Sequence, residues 1–388
     1  MLPVAVGQDA QTSAETPSRN ADQPPLDGRE GRELLLRNFR PIPQLVVPRT
    51  EVSGAAYPAV DVHTHMLFRQ HHNEQALDDF VALMDRNNIA ICVSMDGKLG
   101  AGLEEHLRFL WRNHKSRFLV FAHLDFIGGG QADKYETWAC NQPGWTRRCV
   151  EQLHEAKNLG ISGLKVFKQL GLGHRDANGK LIPIDAPLLD PIWDACGQLG
   201  LPVLIHTADP AAFFEPIGPE NERWEELSRH PDWHFYGKDF PSRDELFAAR
   251  NRVFRKHPNT NFIGAHMASS ADNLAQVAQW LDEYPNLYVD PASRISELGR
   301  QPYTARDFLI KYSDRVLFGT DGPWPEIRVE HYWRFFQTRD EYFPYSEKEF
   351  PPQGFWRIYG VHLPDDVLKR IYYENAKSIL PGVAQRLP

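Results

Sequence analysis

Val60-Asp61-Val62-His63-Thr64-His65 reads as a short β-strand that ends on two histidines, and seven later stretches repeat its plan of an apolar, β-branched run closing on polar residues. The eight runs lie at residues 59–62, 89–94, 118–122, 163–168, 202–205, 261–265, 286–289 and 315–318. Most are separated by amphipathic stretches of helical period, at 77–86, 145–159, 188–199, 243–256 and 271–284. Strands that alternate with helices pair in parallel, and eight of them favour a closed (β/α)₈ TIM barrel, an α/β fold. A doubly wound open sheet is the rival, but no GxGxxG turn follows any early strand. The expectation is one barrel over residues 56–388, preceded by an arm and strap over 1–55.

Working outward, residues 8–30 are rich in Gln, Asp, Ser, Thr, Pro and Gly and carry almost no apolar side chains, so they read as a mobile arm. Apolar residues return over 34–47, as a strap. Two connections are long, 207–242 after the fifth strand and 321–360 after the eighth, and both are crowded with aromatics and prolines. Disordered segments are poor in aromatics, so both are expected as ordered lids over the barrel mouth. A chain of 388 residues with formal net charge -8 has ample core. It shows no basic stripe and no apolar run of membrane-spanning length, which argues against nucleic acid and membrane as partners. A small molecule is the expected partner, with a homo-oligomer open. Cys92, Cys140, Cys149 and Cys196 form no CxxC pair and read as free thiols, though Cys140 and Cys149 could pair in an oxidising compartment. Residues 1–7 are apolar but lack a basic start. A cytoplasmic location is expected, with export open if the true start lies upstream.

The chemistry sits at the strand ends. Residues two apart in a strand share a face, so His63 and His65 project together into the barrel, within reach of one metal ion. Sixteen histidines in 388 residues give roughly 0.7 His-X-His pairs by chance, so this motif alone is weak. Three more strand ends agree with it: His206 closes the fifth run, His266 the sixth, and Gly319-Thr320-Asp321 follows the eighth. In a barrel that is the face where polar residues carry catalysis.

These residues, His63-Thr64-His65, His206, His266 and Gly319-Thr320-Asp321, resemble the signature of the amidohydrolase superfamily. More narrowly they are similar to the amidohydrolase-related branch that includes aminocarboxymuconate-semialdehyde decarboxylase and its relatives. The similarity spans residues 57–381, including Tyr373-Glu374-Asn375-Ala376. It implies a divalent ion held by His63, His65, His206 and Asp321, with His266 close by. Zinc is expected, and manganese or iron would suit the same donors. Asp321 would ligate with one oxygen and accept a proton with the other, and His266 would stabilise an oxyanion or protonate a leaving group. Binuclear members of the superfamily use a carboxylated lysine at the end of strand four, where Lys165 and Lys168 stand. Lys168 lies nearer the end of that run, and substrate binding or ion pairing is the expected role for both.

Other candidates follow from position. Arg294 could grip an anionic substrate, and Trp324 and Trp356 could stack on a planar one. Asp61, two residues before His63, shares its strand face as an acceptor behind the site or a polar residue of the barrel layers, Asp96 and His123 end strands two and three, and Asp209 reads as a turn former. Three readings result. The first is a metal-dependent hydrolase of an amide, lactone or ester of a small organic acid. The second is a nonoxidative decarboxylase, a carboxy-lyase of an aromatic or unsaturated acid. The third is a non-catalytic metal-binding barrel.

Overall fold

The computed structural model describes residues 34, 35, 38, 41–348 and 353–387. The chain divides into a segment Met1–Gln44, of which few residues are described, and a body Leu45–Pro388. The arm expected over 8–30 lies outside the described residues.

Seven strands of the body form one parallel sheet in chain order: β1 (Ala59–Thr64), β2 (Ile89–Lys98), β3 (Phe118–His123), β4 (Gly163–Val166), β5 (Val203–Ile205), β6 (Phe262–Gly264) and β7 (Leu287–Val289). A long helix follows each: α1 (Glu74–Arg86), α2 (Leu103–His114), α3 (Trp145–Leu159), α4 (Asp190–Gln198), α5 (Arg243–Lys256), α6 (Leu274–Glu283) and α7 (Pro302–Lys311). The eighth run bonds to both edges and closes the TIM barrel. Leu317 N–H donates to Val289 O (2.9 Å) on one side, and Val62 N–H donates to Phe318 O (2.9 Å) on the other. It lacks a continuous ladder, because Phe318 N–H is taken by Ile371 O at 2.9 Å.

Side chains alternate between two cores. Val60, Val62, Ile91, Val93, Leu119, Phe121, Leu204, Ile263 and Leu317 fill the interior. Cys92, Val120, Leu164, Val166, Val203 and Phe262 face the helices. One irregularity matters for the site. The β1–β2 register shifts between Asp61 and Thr64, and Asp61 Oδ1 accepts the His63 N–H two residues on (3.1 Å). A bulge of this kind resets the alternation, so Asp61 does not share a face with His63.

The connection after the fifth strand carries only short turns, at Ala211–Phe214, Trp224–Leu227 and Pro231–Trp233. The one after the eighth contains a full helix, α8 (Glu326–Gln337), whose Val329, Tyr332, Trp333 and Phe336 stand at i, i+3, i+4 and i+7 and are buried. Trp333 stacks on Phe318, with ring centroids 4.9 Å apart. Part of the expected lid is therefore core. All four cysteines are free thiols. Among the described residues no helix is long and apolar enough to cross a membrane.

Candidate metal centre

The β1 bulge leaves His63 and His65 on the barrel axis at the C-terminal end of the sheet, each backed by a carboxylate. His63 Nδ1 donates to Asp290 Oδ2 at 3.1 Å, and His65 Nδ1 donates to Asp96 Oδ1 at 2.7 Å. A carboxylate can only accept, so the proton stays on Nδ1 and the Nε2 lone pair points away from it. Both lone pairs converge on Asp321, whose Oδ1 lies 3.8 Å from His63 Nε2 and 3.4 Å from His65 Nε2. The ligating atoms of these three residues all lie within 4.8 Å of one another, as do those of His63, His266 and Asp290.

Asp321 is held in place by its own backbone. Its φ is 67°, its N–H donates to His63 O (2.8 Å), and Ser293 Oγ donates to its Oδ2 (2.9 Å). Burial pushes its carboxyl up, but His63, His65, the Arg69 guanidinium and the Ser293 hydroxyl outweigh that and bring it to about 2. Burial, with Lys165 adding to it, lowers His63 well below the usual imidazole range. An ionised carboxylate beside a neutral His63 is the donor state a divalent cation requires.

His206 and His266 complete the wall. The His206 ring meets His266 edge-on at 4.5 Å, and His266 lies 4.9 Å from His63. Among the described residues His206 Nε2 is buried without a hydrogen-bond partner, and it stands 3.5 Å from Asp209 Oδ1. A buried ring nitrogen left unpaired is costly, and a cation would satisfy it. It does not join either close group of three. His266 Nδ1 donates to Ala292 O (2.7 Å), which leaves its Nε2 as an acceptor. The donors of His63, His65 and Asp321, with the two imidazoles backed by carboxylates, fit a divalent cation.

The other sequence candidates separate sharply. Lys165 is at the centre: it is buried, and its Nζ donates to His63 Nε2 at 3.1 Å, meeting the lone pair a cation would use. Burial lowers its amine to about 8, while Asp290, Asp321 and Asp96 pull the other way. Lys168 turns aside to pair with Asp209 Oδ2 at 2.5 Å. Arg294 caps Ser293 O (2.9 Å) and approaches Glu297. Trp324 carries two guanidinium groups over its ring, Arg69 at 3.7 Å and Arg328 at 3.4 Å, which compete with any planar substrate for stacking there. Trp356 lies under Arg300 (4.1 Å) and against Tyr345. Asp61 accepts from Thr320 N–H (3.0 Å) and Thr320 Oγ1 (2.5 Å), tying β1 to the eighth run. His123 packs edge-on to Phe167.

Asp290, Ser293 and Arg69 were missed as site residues. Asp290 follows Leu287-Tyr288-Val289, so the strand-end rule that found His206 applies to it equally. Ser293 and Arg69 carry no such signal.

An amidohydrolase family model matches residues 60–382. Among curated proteins none matches. Solved structures of similar fold include 2,6-dihydroxybenzoate decarboxylase from Rhizobium (16% identity, TM-score 0.49, 84% of this chain and 98% of that one). Another is dihydroorotase from Campylobacter jejuni (14%, 0.45, 83% and 82%). A third is a dihydroxybenzoic acid decarboxylase from Polaromonas sp. JS666 with bound manganese and 2-nitroresorcinol (16%, 0.46, 84% and 97%).

Proposed function

Because the chain belongs to the amidohydrolase family, we propose that it is a metal-dependent hydrolase that opens an amide, lactone or ester of a small organic acid. The chain is an enzyme, so the non-catalytic reading falls away. The observation that carries the proposal is the convergence of His63 Nε2, His65 Nε2 and Asp321 Oδ1, each imidazole backed by its own carboxylate.

His63, His65, His206 and Asp321 would hold the ion, zinc in this reading, with manganese or iron compatible. A cation held there would supply Lewis-acid polarisation of a carbonyl and lower the pKa of water toward neutral. The protein supplies the rest. Asp321 offers Oδ1 to the ion while Ser293 fixes Oδ2 beside the reacting centre. His266, with its Nδ1 proton committed to Ala292 O, takes up on Nε2 the proton that the attacking water gives up and passes it to the leaving group. Lys165, the cation buried in the wall, holds the carboxylate of the substrate.

Lys165 also favours the second reading, a carboxy-lyase, because a buried ammonium beside the ligands suits a carboxylate that is to be lost. Metal analysis of protein purified without chelator, followed by lactone, amide and aromatic-acid panels, tests both. Acid release with one equivalent of metal supports hydrolysis. CO₂ release without water consumption selects the lyase. No turnover with a full metal complement sinks both.

A further inference from the structure

Four consecutive residues with side chains, His266 (φ 59°), Met267 (58°), Ala268 (53°) and Ser269 (60°), stand in the left-handed region. Each is disfavoured there, since only glycine takes that conformation freely, and such strain persists only where the surroundings over-determine it. The turn sets the direction of the His266 ring, between His63 and His206.

The surroundings come from two places. Asp290 holds the start of the turn: its Oδ1 accepts the His266 N–H (3.1 Å), and its carbonyl accepts the Met267 N–H (2.6 Å). Helix α5 holds the end. Arg243 and Arg250, seven residues apart and so on one helix face, donate to the carbonyls of Ser269 (2.7 Å) and Ala268 (2.6 Å).

Arg250 has little other reason to be where it is. It is fully buried, boxed by Trp280 (4.3 Å), Phe247 (4.8 Å) and Phe254 (5.4 Å), and among the described residues no carboxylate pairs with it. Its Nε and Nη2 share the Asn251 Oδ1. A well-packed apolar side chain would fill that space without the desolvation of a guanidinium. We infer that Arg250 is a positioning residue for His266: its bond to the Ala268 carbonyl holds the left-handed turn that aims the imidazole into the site, with Arg243 as a second clamp. The effect on turnover rests on the reading of His266 given above, but the effect on the ring itself does not.

The test uses the full chain with ¹⁵N-labelled histidine. The His266 ring signals are assigned by their loss in His266→Ala, and kcat and KM are measured on whichever panel substrate turns over. Arg250→Met is expected to replace the single Nδ1–H form of His266 by a mixed pattern. It should lower kcat by roughly tenfold or more with KM nearly unchanged. Adding Ala268→Gly should restore both, because glycine adopts the left-handed conformation without strain. In a His266→Ala background Arg250→Met should have no further effect on kcat. Unchanged His266 signals in Arg250→Met overturn the inference, and so does a deeper loss on adding Ala268→Gly, as a plain packing defect would give. If Arg250→Met does not fold, Arg243→Gln carries the test, with a smaller change of the same kind expected and none refuting it. If His266→Ala keeps full turnover while Arg250→Met disturbs the ring, the proton-handling role of His266 fails and the positioning inference stands.

Discussion

Replacing Asp290 by asparagine is a near-isosteric change with an asymmetric effect. Both backbone donors, His266 N–H (3.1 Å) and Ala292 N–H (3.0 Å), go to Oδ1, whereas His63 Nδ1 goes to Oδ2 (3.1 Å). An asparagine keeps its oxygen for the two backbone groups and turns its amide toward His63. Donor then faces donor, so the imidazole is pushed toward the Nε2–H form, which the Lys165 ammonium on Nε2 opposes in turn, and the lone pair aimed at Asp321 is no longer held by a carboxylate behind it. Metal binding would have to reverse the tautomer and leave two buried donors opposed. Loss of such a backing carboxylate costs about 10–100-fold in metal affinity, or about 1.4–2.8 kcal/mol at 1.4 kcal/mol per tenfold. The fold should lose little, because both backbone bonds survive and burial already opposes the Asp290 charge. Titration of metal-free protein against a chromophoric chelator measures the dissociation constant, and thermal melting of the metal-free form checks the fold. A constant within twofold of the parent would refute the claim that Asp290 sets the His63 tautomer.

Lys165→Met should keep one equivalent of metal and raise KM for carboxylate-bearing substrates about 10–100-fold, the worth of one charged hydrogen bond; loss of a second equivalent of metal would instead make Lys165 a carboxylated ligand. Thr320→Val removes the hydroxyl donor from Asp61 Oδ2 and leaves a buried carboxylate oxygen unpaired, so stability should fall by roughly 1–3 kcal/mol. An unchanged denaturation midpoint would remove Asp61 from the closure of the barrel. His331 in α8 is buried with both ring nitrogens unpartnered among the described residues, and burial, with Arg334, Arg328 and Arg49 nearby, lowers it to about 4. A depressed folded value means stability that is present above about pH 6.5 and lost as pH falls toward 4, at ~1.4 kcal/mol per unit or on the order of 3 kcal/mol in all. His331→Leu should therefore lose less stability than the parent between pH 7 and pH 4 in urea titrations, and equal losses would contradict this.

The barrel was legible because each strand carries its own signal: short β-branched runs, helical periods between them, and a polar residue at each mouth. His63, His65 and Asp321 meet at the strand ends, although it is the β1 bulge that turns His63 inward. Where the reading stopped, a local event broke a period. The bulge between Asp61 and Thr64 moves Asp61 off the His63 face, and no composition rule announces it. Strand β4 ends at Val166, so Lys165, inside the regular alternation, points to the axis, while Lys168 lies beyond it and pairs with Asp209. Aromatic density between 321 and 360 suggested a lid, although Val329, Tyr332, Trp333 and Phe336 already spell a helix face. Asp290 was legible and overlooked. The left-handed run at His266 was not, because its cause lies in Arg243, Arg250 and Asp290, distant in sequence.

Three imidazoles and a carboxylate gathered around one ion is the claim on which the rest depends. Anomalous diffraction from crystals grown with zinc or manganese, recorded on both sides of the metal edge, tests it most directly. A single peak ~2.0–2.2 Å from His63 Nε2, His65 Nε2 and an Asp321 oxygen, with His206 Nε2 turned to complete the shell, is the expected result. No peak at the barrel mouth, or a peak bound by other side chains while these four stay apart, would contradict it.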